Sequence, residues 1–280
     1  MGQTPIAKTP GLKAPPGACD THFHIYEPQY PLAPTLALPA PEQATFTDYV
    51  PIRESLGIER FVVVQPTAYG KDNRCTLEAV AKFGDAARAV VVVDDTVSDD
   101  ELAALTEQGA RGIRFFFLPG GALPFEILAD MAARVLEHGW HVQMQLDGNL
   151  LPDYEDAFAK LPGDLVIDHV GRFHGGAATD SAAFKSLMRL IDSGRCWVKL
   201  SAPYMSTLEE GPDYPAVTAC ARALIKAAPE HMVWASNWPH PGVTPRPDDG
   251  PLLDLLLAWV DDEKTRNRIL VGNPGELYGF

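Results

Sequence analysis

Short apolar, β-branched runs recur along the chain at regular intervals. They are Ala18–His24, Phe61–Pro66, Ala89–Val93, Gly112–Phe117, His141–Leu146, Leu165–Val170, Cys196–Ser201 and Met232–Asn237. Most of these runs are almost continuously apolar, which is the pattern of strands buried on both faces of a parallel sheet. The chain is therefore predicted to contribute eight strands to one buried sheet.

Segments with helical character separate the apolar runs. They are Phe46–Leu56, Cys75–Phe83, Asp99–Gln108, Pro124–His138, Tyr154–Lys160, Ser181–Ser193, Tyr214–Ala228 and Pro251–Val260. Ser98 ahead of Glu101 is a candidate helix cap, and Gly139 and Gly194 follow two of the segments as C-terminal glycines. Strands that alternate with helices in this way predict an α/β fold, the closed (β/α)8 TIM barrel. The alternative is an open doubly wound sheet, but no glycine-rich nucleotide-binding motif follows any strand.

The first 16 residues differ from the rest of the chain. The stretch MGQTPIAKTPGLKAPP contains several prolines and shows no hydrophobic periodicity. Such a composition predicts a flexible N-terminal arm over residues 1–16. No shift of composition and no internal repeat follows, so residues 17–280 are expected to form one barrel domain.

Composition and charge narrow the class of protein. Of 280 residues, 46% are hydrophobic and 21% charged, which is ordinary for a globular domain. No apolar run is long enough for a membrane span, and Met1–Pro10 lacks the apolar core of a signal peptide, so a cytoplasmic protein is expected. The net charge of −14 argues against nucleic acid and anionic membranes as partners. The four cysteines form no C-x-x-C pair and are expected to be reduced thiols.

Polar residues interrupt the apolar runs near their C-terminal ends, where a TIM barrel carries its active site. His22 and His24, two residues apart in the first run, point to one face of a strand. The other candidates are Thr67, Tyr69, Arg114, Gln145, Asp168, His169, Arg172, Lys199, Ser201, Tyr204, Asn237 and His240. Any one of them alone could be a structural cap or a rim charge. Together they predict a polar catalytic pocket, because buried polar groups are costly unless they cluster and satisfy one another.

Six stretches in order carry a resemblance to a known family. They are DTHFH at 20–24, VVVQPTAYGKDN at 62–73, RGIRFF at 111–116, DHVGRF at 168–173, VKLSAPY at 198–204 and WASNWPHP at 234–241. With them, the chain from about residue 17 to its end resembles the amidohydrolase superfamily. The resemblance is strongest to the branch that contains 2-pyrone-4,6-dicarboxylate hydrolase and its lactone-processing relatives.

The resemblance bears directly on metal binding. The superfamily binds metal through H-x-H, a lysine or carboxylate on strand four, histidines on strands five and six, and an aspartate on strand eight. The corresponding residues here are His22 and His24, Arg114, Gln145, His169 and Asn237. Three neutral imidazoles could still hold zinc, but Arg114 would repel a dication. No metal and no other cofactor is therefore expected, as the lactone-hydrolase branch implies.

Without a metal, a lactone carbonyl needs other donors to stabilise the oxyanion formed on attack. His22, His24 and His169 are expected to converge on that oxygen. Arg114 and Arg172 suit the forked recognition of carboxylates. Thr67, Tyr69, Gln145 and Tyr204 are expected to contact the rest of the substrate. The expected partner is a small anionic sugar-acid lactone.

The strand-eight motif points to the type of reaction. Hydrolases of this branch read W-x-x-D-W-P-H-P, and that aspartate takes the proton of the attacking water. Asn237 stands there instead, and the general-base contribution of about 10²–10⁴-fold is lost. A substrate hydroxyl, held at high effective concentration by its own chain, then becomes the favoured nucleophile. The resemblance implies isomerisation of an aldarate lactone, from D-galactaro-1,5-lactone to D-galactaro-1,4-lactone, with the histidine cluster or His240 moving the proton.

Two other hypotheses stay open at this point. One is a lactone hydrolase of the 2-pyrone-4,6-dicarboxylate hydrolase type, in which Asp168, His240 or Asp147 serves as the base. The other is a non-catalytic barrel that binds a sugar acid, in which Asn237 is an inactivating replacement of the aspartate.

Overall fold

The computed structural model describes residues 7–42, 44–207 and 211–280. Eight parallel strands form one sheet in chain order: β1 Cys19–Phe23, β2 Arg60–Val64, β3 Ala87–Val91, β4 Ala110–Phe116, β5 His141–Gln145, β6 Leu165–Ile167, β7 Cys196–Leu200 and β8 Met232–Trp234. The Thr21 hydroxyl donates to the carbonyl of Trp234 at 2.8 Å and so joins β1 to β8. The sheet is a nearly closed barrel. The predicted (β/α)8 fold is confirmed, and the open-sheet alternative is wrong.

A helix follows each strand and covers the outside of the barrel. The helices are α1 Phe46–Leu56, α2 Arg74–Phe83, α3 Asp99–Glu107, α4 Leu128–Leu136, α5 Leu151–Ala159, α6 Ala182–Asp192, α7 Pro215–Ala227 and α8 Asp249–Trp259. The short helices α9, Glu263–Asn267, and α10, Asn273–Tyr278, end the chain and were not predicted. Ser98 caps α3 through a reciprocal pair with Glu101, as expected.

The strands divide their side chains between two cores. On β2, Val63 packs outward into the large core beneath the helices. Val62 and Val64 pack with Cys19 of β1 and with Tyr278, which α10 inserts between them. Because successive strand residues face opposite sides, the second cluster lies inside the barrel. The barrel interior is thus filled with side chains and is not a pore.

The described part of the N-terminal segment is packed against the barrel. Ala7 and Leu12 are buried. Backbone amides of this stretch donate to the carboxylates of Asp248 and Asp254, at the start of α8 and within it, at 2.7–3.0 Å. Residues 7–16 are therefore anchored where a flexible arm was expected, because two apolar side chains and two acidic acceptors fix them. Residues 1–6 lie outside the described residues.

Two expectations drawn from composition can be compared with the structure. Cys19, Cys75, Cys196 and Cys220 are all buried free thiols, as predicted. In the described ranges, no helix is both long enough and apolar enough to cross a membrane.

Candidate active site

A cavity of about 300 Å³ opens at the carboxyl ends of the barrel strands. Eight of the predicted residues line it: His24, Thr67, Arg114, Gln145, His169, Arg172, Tyr204 and Asn237. They come from seven different strand ends, so the closed barrel brings together groups that are far apart in the sequence. The β1–α1 loop, which sequence reasoning did not single out, adds the apolar lining residues Leu36, Leu38, Pro39 and Ala40.

His24 is held in one protonation state. Its Nδ1–H donates to the carbonyl of Val64 at 2.7 Å. Burial, reinforced by the charge of Arg114, lowers the pKa of His24 to about 3. The neutral ring therefore carries a lone pair on Nε2 and has no proton to offer an oxyanion. The predicted donor set of three imidazoles is wrong for His24.

His22 lies beneath the cavity and does not line it. Its Nε2 is 3.2 Å from the Nε2 of His24. Since the nitrogen of His24 is an acceptor, the network assigns the proton of His22 to Nε2. The Nδ1 of His22 is then surrounded by the Asp168 carboxylate and the Gln143 amide, each at 3.3 Å, and by the Lys199 ammonium at 3.4 Å. His22, predicted to contact the substrate, is therefore placed behind His24. Its role in this arrangement is to hydrogen-bond the His24 ring.

A buried polar cluster around Lys199 forms the floor under these rings. The ammonium of Lys199 donates to the side-chain oxygen of Gln143 at 2.6 Å and to the carbonyl of Thr21 at 2.8 Å. The amide of Gln143 in turn donates to Asp168 at 3.1 Å. Burial lowers the pKa of Lys199 to about 8. Lys199 and Asp168 are candidates for the polar pocket by their position at the strand ends, and the structure places both below the cavity.

His169 reaches the cavity from the end of β6. Its backbone and that of Val170 have φ values of 57° and 53°, in the left-handed region that non-glycine residues rarely occupy. The Nδ1 of His169 lies 2.9 Å from the hydroxyl of Ser201. Burial lowers the pKa of His169 well below its usual value, so the ring is neutral. The strained backbone and the hydroxyl together hold a neutral imidazole at the cavity wall.

Two arginines bring positive charge to the cavity. Arg114 is 4% exposed and donates to the carbonyl of Gln65 and the side-chain oxygen of Gln145, both at 2.7 Å. Arg172 is half-buried at the same wall. Within the described ranges neither guanidinium forms an ion pair, and both Nε atoms are buried without a hydrogen-bond partner. Two cationic side chains with unused hydrogen-bonding capacity therefore lie at the cavity wall.

Tyr204 and Asn237 stand together on the cavity wall, after β7 and β8. The amide of Asn237 donates to the Tyr204 hydroxyl at 3.0 Å. The same hydroxyl lies 2.7 Å from Nδ1 of His240, and Nε2 of His240 lies 3.1 Å from the carboxylate of Asp249. His240, predicted to be catalytic, does not line the cavity and reaches it only through Tyr204. Asp249 was missed, because the hydrophobic pattern started α8 at Pro251, two residues too late.

The residues after β2 divide between the cavity and the loop above it. Thr67 lines the cavity, as expected for a substrate contact. Tyr69 turns away: its hydroxyl accepts from the backbone N–H of Glu27 at 2.8 Å and donates to the carbonyl of that residue at 3.1 Å. A single helical turn over Thr67–Tyr69 causes the difference, because it rotates the two side chains apart. Tyr69, predicted to contact the substrate, therefore does not line the cavity.

One group of side chains has the composition of a metal site. Ligand atoms of His22, Asp168 and His169 all lie within 4.8 Å of one another. The ammonium of Lys199 is 3.8 Å from the Asp168 carboxylate and 3.4 Å from the His22 ring. An ammonium thus lies beside two of these three groups, where it would repel a divalent ion.

The fold and the site together define a class of protein. A parallel eight-stranded α/β barrel with convergent polar groups at the carboxyl ends of its strands is a TIM barrel with its cavity where barrel enzymes carry theirs. The family model described as "Amidohydrolase" matches residues 19–280. The chain belongs to this family, as the motifs predicted.

Three relatives show where in the family the chain lies. It is 39% identical to D-galactarolactone isomerase of Agrobacterium fabrum over 278 residues, which are 96% of this chain and 93% of the relative. It is 33% identical to 2-pyrone-4,6-dicarboxylate hydrolase of Comamonas testosteroni over 283 residues, 96% of this chain and 92% of the relative. A crystal structure of an Agrobacterium tumefaciens protein superposes with a TM-score of 0.93 at 38% identity and covers 99% of both chains.

Proposed function

We propose that this protein isomerises an aldarate lactone, D-galactaro-1,5-lactone to D-galactaro-1,4-lactone, without a metal ion. One observation carries the proposal: no aspartate or glutamate is among the described residues that line the cavity. The strand-eight position that would hold a base for water is Asn237, whose amide donates to Tyr204. A cavity without a carboxylate base favours an internal nucleophile over water. The similarity to D-galactarolactone isomerase supports the same reaction.

The charge of the cavity supports the substrate class. The lactone of an aldaric acid keeps one free carboxylate. Arg114 and Arg172 are the cationic side chains that line the cavity, and within the described ranges neither has an ion-pair partner. A guanidinium binds a carboxylate through two parallel hydrogen bonds. The arginines thus let a chain of net charge −14 attract an anion.

The proposed reaction exchanges one ester for another within one molecule. The C4 hydroxyl oxygen attacks the carbonyl carbon C1, the bond from C1 to the ring oxygen on C5 breaks, and the C4 proton ends on that oxygen. His169 lines the cavity and can donate from its ring to the developing oxyanion. One well-placed donor of this kind contributes roughly 3–4 kcal/mol to transition-state stabilisation.

Metal independence rests on the donor chemistry of the floor. His22 and Asp168 are the residues of the candidate metal group that lie below the cavity, and Lys199 and Gln143 already donate to them. A divalent ion would have to displace an ammonium from a fully buried cluster. The group therefore does not fit a catalytic divalent ion, and the proposed reaction uses none.

A lactone hydrolase is the second candidate, favoured by the similarity to 2-pyrone-4,6-dicarboxylate hydrolase. It needs a base for water. Asp168 is occupied by Lys199 and Gln143, and neither Asp147 nor His240 lines the cavity. None of the three bases named for a hydrolase is available in the cavity, and for this reason the geometry supports the isomerase better.

The deciding experiment follows the fate of D-galactaro-1,5-lactone by NMR, against the rate without enzyme. The 1,4-lactone is expected to form at the catalytic rate. The free diacid in its place would establish the hydrolase, and tight binding without turnover would establish a non-catalytic barrel. Metal analysis of the purified protein accompanies it, since stoichiometric zinc whose removal abolishes activity would refute metal independence.

A further inference from the structure

We propose that Tyr204 is the catalytic proton-transfer group of this site and that His240 and Asp249 act behind it as a relay. The inference deepens the proposed function and rests on it for the identity of the proton that moves. It assigns roles to Tyr204 beyond substrate contact and to Asp249, which the sequence did not single out.

Hydrogen-bond geometry fixes the direction of the relay. The carboxylate of Asp249 is an acceptor only, so the 3.1 Å contact requires a proton on Nε2 of His240. The neutral ring then has its lone pair on Nδ1, 2.7 Å from the Tyr204 oxygen. In this tautomer the tyrosine hydroxyl donates to His240. Its oxygen keeps two lone pairs, and Asn237 donates to one of them at 3.0 Å.

Of the three relay residues, one lines the cavity and two are buried behind it. His240 and Asp249 are 1% and 3% exposed and do not line the cavity. Tyr204 is half-buried and lines it, so it is the member of the relay that a ligand in the cavity can touch. Burial also raises the pKa of Tyr204, which keeps its hydroxyl protonated at neutral pH. The second lone pair of that oxygen is the one available to a substrate hydroxyl.

The backbone holds this arrangement under strain. Asn237 and His240 both have left-handed φ values, 59° and 61°, although neither is glycine. Such conformations are uncommon for residues other than glycine and cluster at functional sites. Here they turn the amide of Asn237 and the ring of His240 toward one tyrosine oxygen.

The proton balance of the relay suits an isomerase. As the substrate hydroxyl attacks, its proton passes to the Tyr204 oxygen while the tyrosine proton passes to Nδ1 of His240. The imidazolium formed is paired with Asp249. When the ring oxygen leaves, Tyr204 donates a proton to it and recovers its own from His240. No proton is gained or lost over the cycle, and no external base or water is needed.

Steady-state kinetics of the isomerisation test the relay. Tyr204→Phe is expected to lower kcat about 10²–10⁴-fold, the usual contribution of a general acid–base group. Asp249→Asn is expected to lower kcat by at least about 10²-fold with a smaller change in KM, because an amide can stabilise the wrong tautomer of His240. Asp249→Glu should recover part of the loss. Tyr154→Phe, on the outer helix α5, is the matched control.

A solvent isotope effect separates proton transfer from a structural role. The wild-type kcat should fall in D₂O with a proton inventory that requires more than one moving proton, and Asp249→Asn should change that inventory. A Tyr204→Phe protein that folds and keeps kcat within about threefold of the wild type would overturn the proposal. So would an Asp249→Asn protein that is altered only in stability.

A second measurement does not depend on turnover. ¹⁵N NMR of the imidazoles, with His240→Gln to assign the signals, should find His240 protonated at Nε2 with a bare Nδ1 that accepts a hydrogen bond. The opposite tautomer would overturn the relay even if the enzyme isomerises lactones. If the wild-type protein yields the diacid instead, the proposed function fails, and the Tyr204→Phe effect on hydrolysis then decides the relay separately.

Discussion

The ammonium nitrogen of Lys199 lies 3.8 Å from the carboxylate of Asp168, and both side chains are completely buried. Between them, Gln143 accepts from Lys199 and donates to Asp168. Every charge in this floor therefore has both an opposite charge and a hydrogen bond nearby. The floor positions His22 and, through it, His24 under the cavity.

Removing one member of this pair should be more harmful than removing both. Lys199→Met leaves the Asp168 carboxylate buried without its cation, which typically costs about 3–5 kcal/mol of stability. The double replacement of Lys199 by Met and Asp168 by Asn should cost clearly less. Urea unfolding of the three variants checks this order, with Lys226→Met on the exposed face of α7 as the control. A double variant at least as unstable as the single one would contradict the ion-pair argument.

The sequence predicts the barrel well because each strand and each helix is recognisable from a short stretch of residues. Buried parallel strands are continuous apolar runs, and eight of them alternating with helices leave few arrangements. The polar residues that interrupt those runs are informative for the same reason. Arg114 and Asn237 lie where apolar side chains are expected, and both line the cavity.

The errors concern what a side chain does after its strand ends. Tyr69 and Thr67 look equivalent in the sequence, and one helical turn separates their roles. Asp249 is nine residues beyond His240 and becomes its partner only because α8 begins with that acid. His24 was predicted to donate, but its tautomer depends on the carbonyl of Val64, on another strand. Such relations follow from tertiary contacts that no local pattern encodes.

Asn237→Asp should add hydrolysis to the reaction. A carboxylate at this position would supply the base that the cavity lacks. The gain in diacid formation should approach the factor of about 10²–10⁴ usual for general-base catalysis, at the expense of isomerisation. NMR of both products measures it, with Asn267→Asp on α9 as the control. If no diacid appears, the absence of a base does not explain the choice of reaction.

Arg172→Gln should weaken binding of an acidic lactone specifically. Charge-assisted hydrogen bonds contribute about 1.5–3 kcal/mol, so KM should rise roughly 10-fold to 150-fold for a lactone that carries a carboxylate. A neutral sugar lactone should show little change. Comparing kcat and KM for the two substrates tests the assignment. An equal rise in KM for the acidic and the neutral lactone would mean that Arg172 has only a structural role in the cavity wall. Carboxylate recognition would then be assigned to Arg114.

The protein should lose stability steeply as the pH falls below about 6.5, the usual histidine pKa. Burial lowers the pKa of four histidines, His22, His24, His141 and His169, so below that pH the unfolded chain takes up protons that the folded chain does not. Asp20 acts in the opposite direction, because burial raises its pKa to about 6 and the folded state then binds the extra proton. With four histidines acting in one direction and Asp20 in the other, the unfolded chain binds up to three protons more than the folded chain. The free energy of unfolding then falls by up to about 4 kcal/mol for each pH unit.

His141 is the group to replace in testing this slope. It is 3% exposed, neither ring nitrogen has a hydrogen-bond partner, and it does not line the cavity. His141→Leu should reduce the fall of the unfolding free energy between about pH 6 and about pH 5 by up to about 1.4 kcal/mol per pH unit. Urea unfolding across this range measures it, and His174→Leu, at an exposed position, should leave the slope unchanged. An unchanged slope in His141→Leu would mean that the ring takes up its proton in the folded barrel, in which case some group in the barrel interior must pair with the imidazolium.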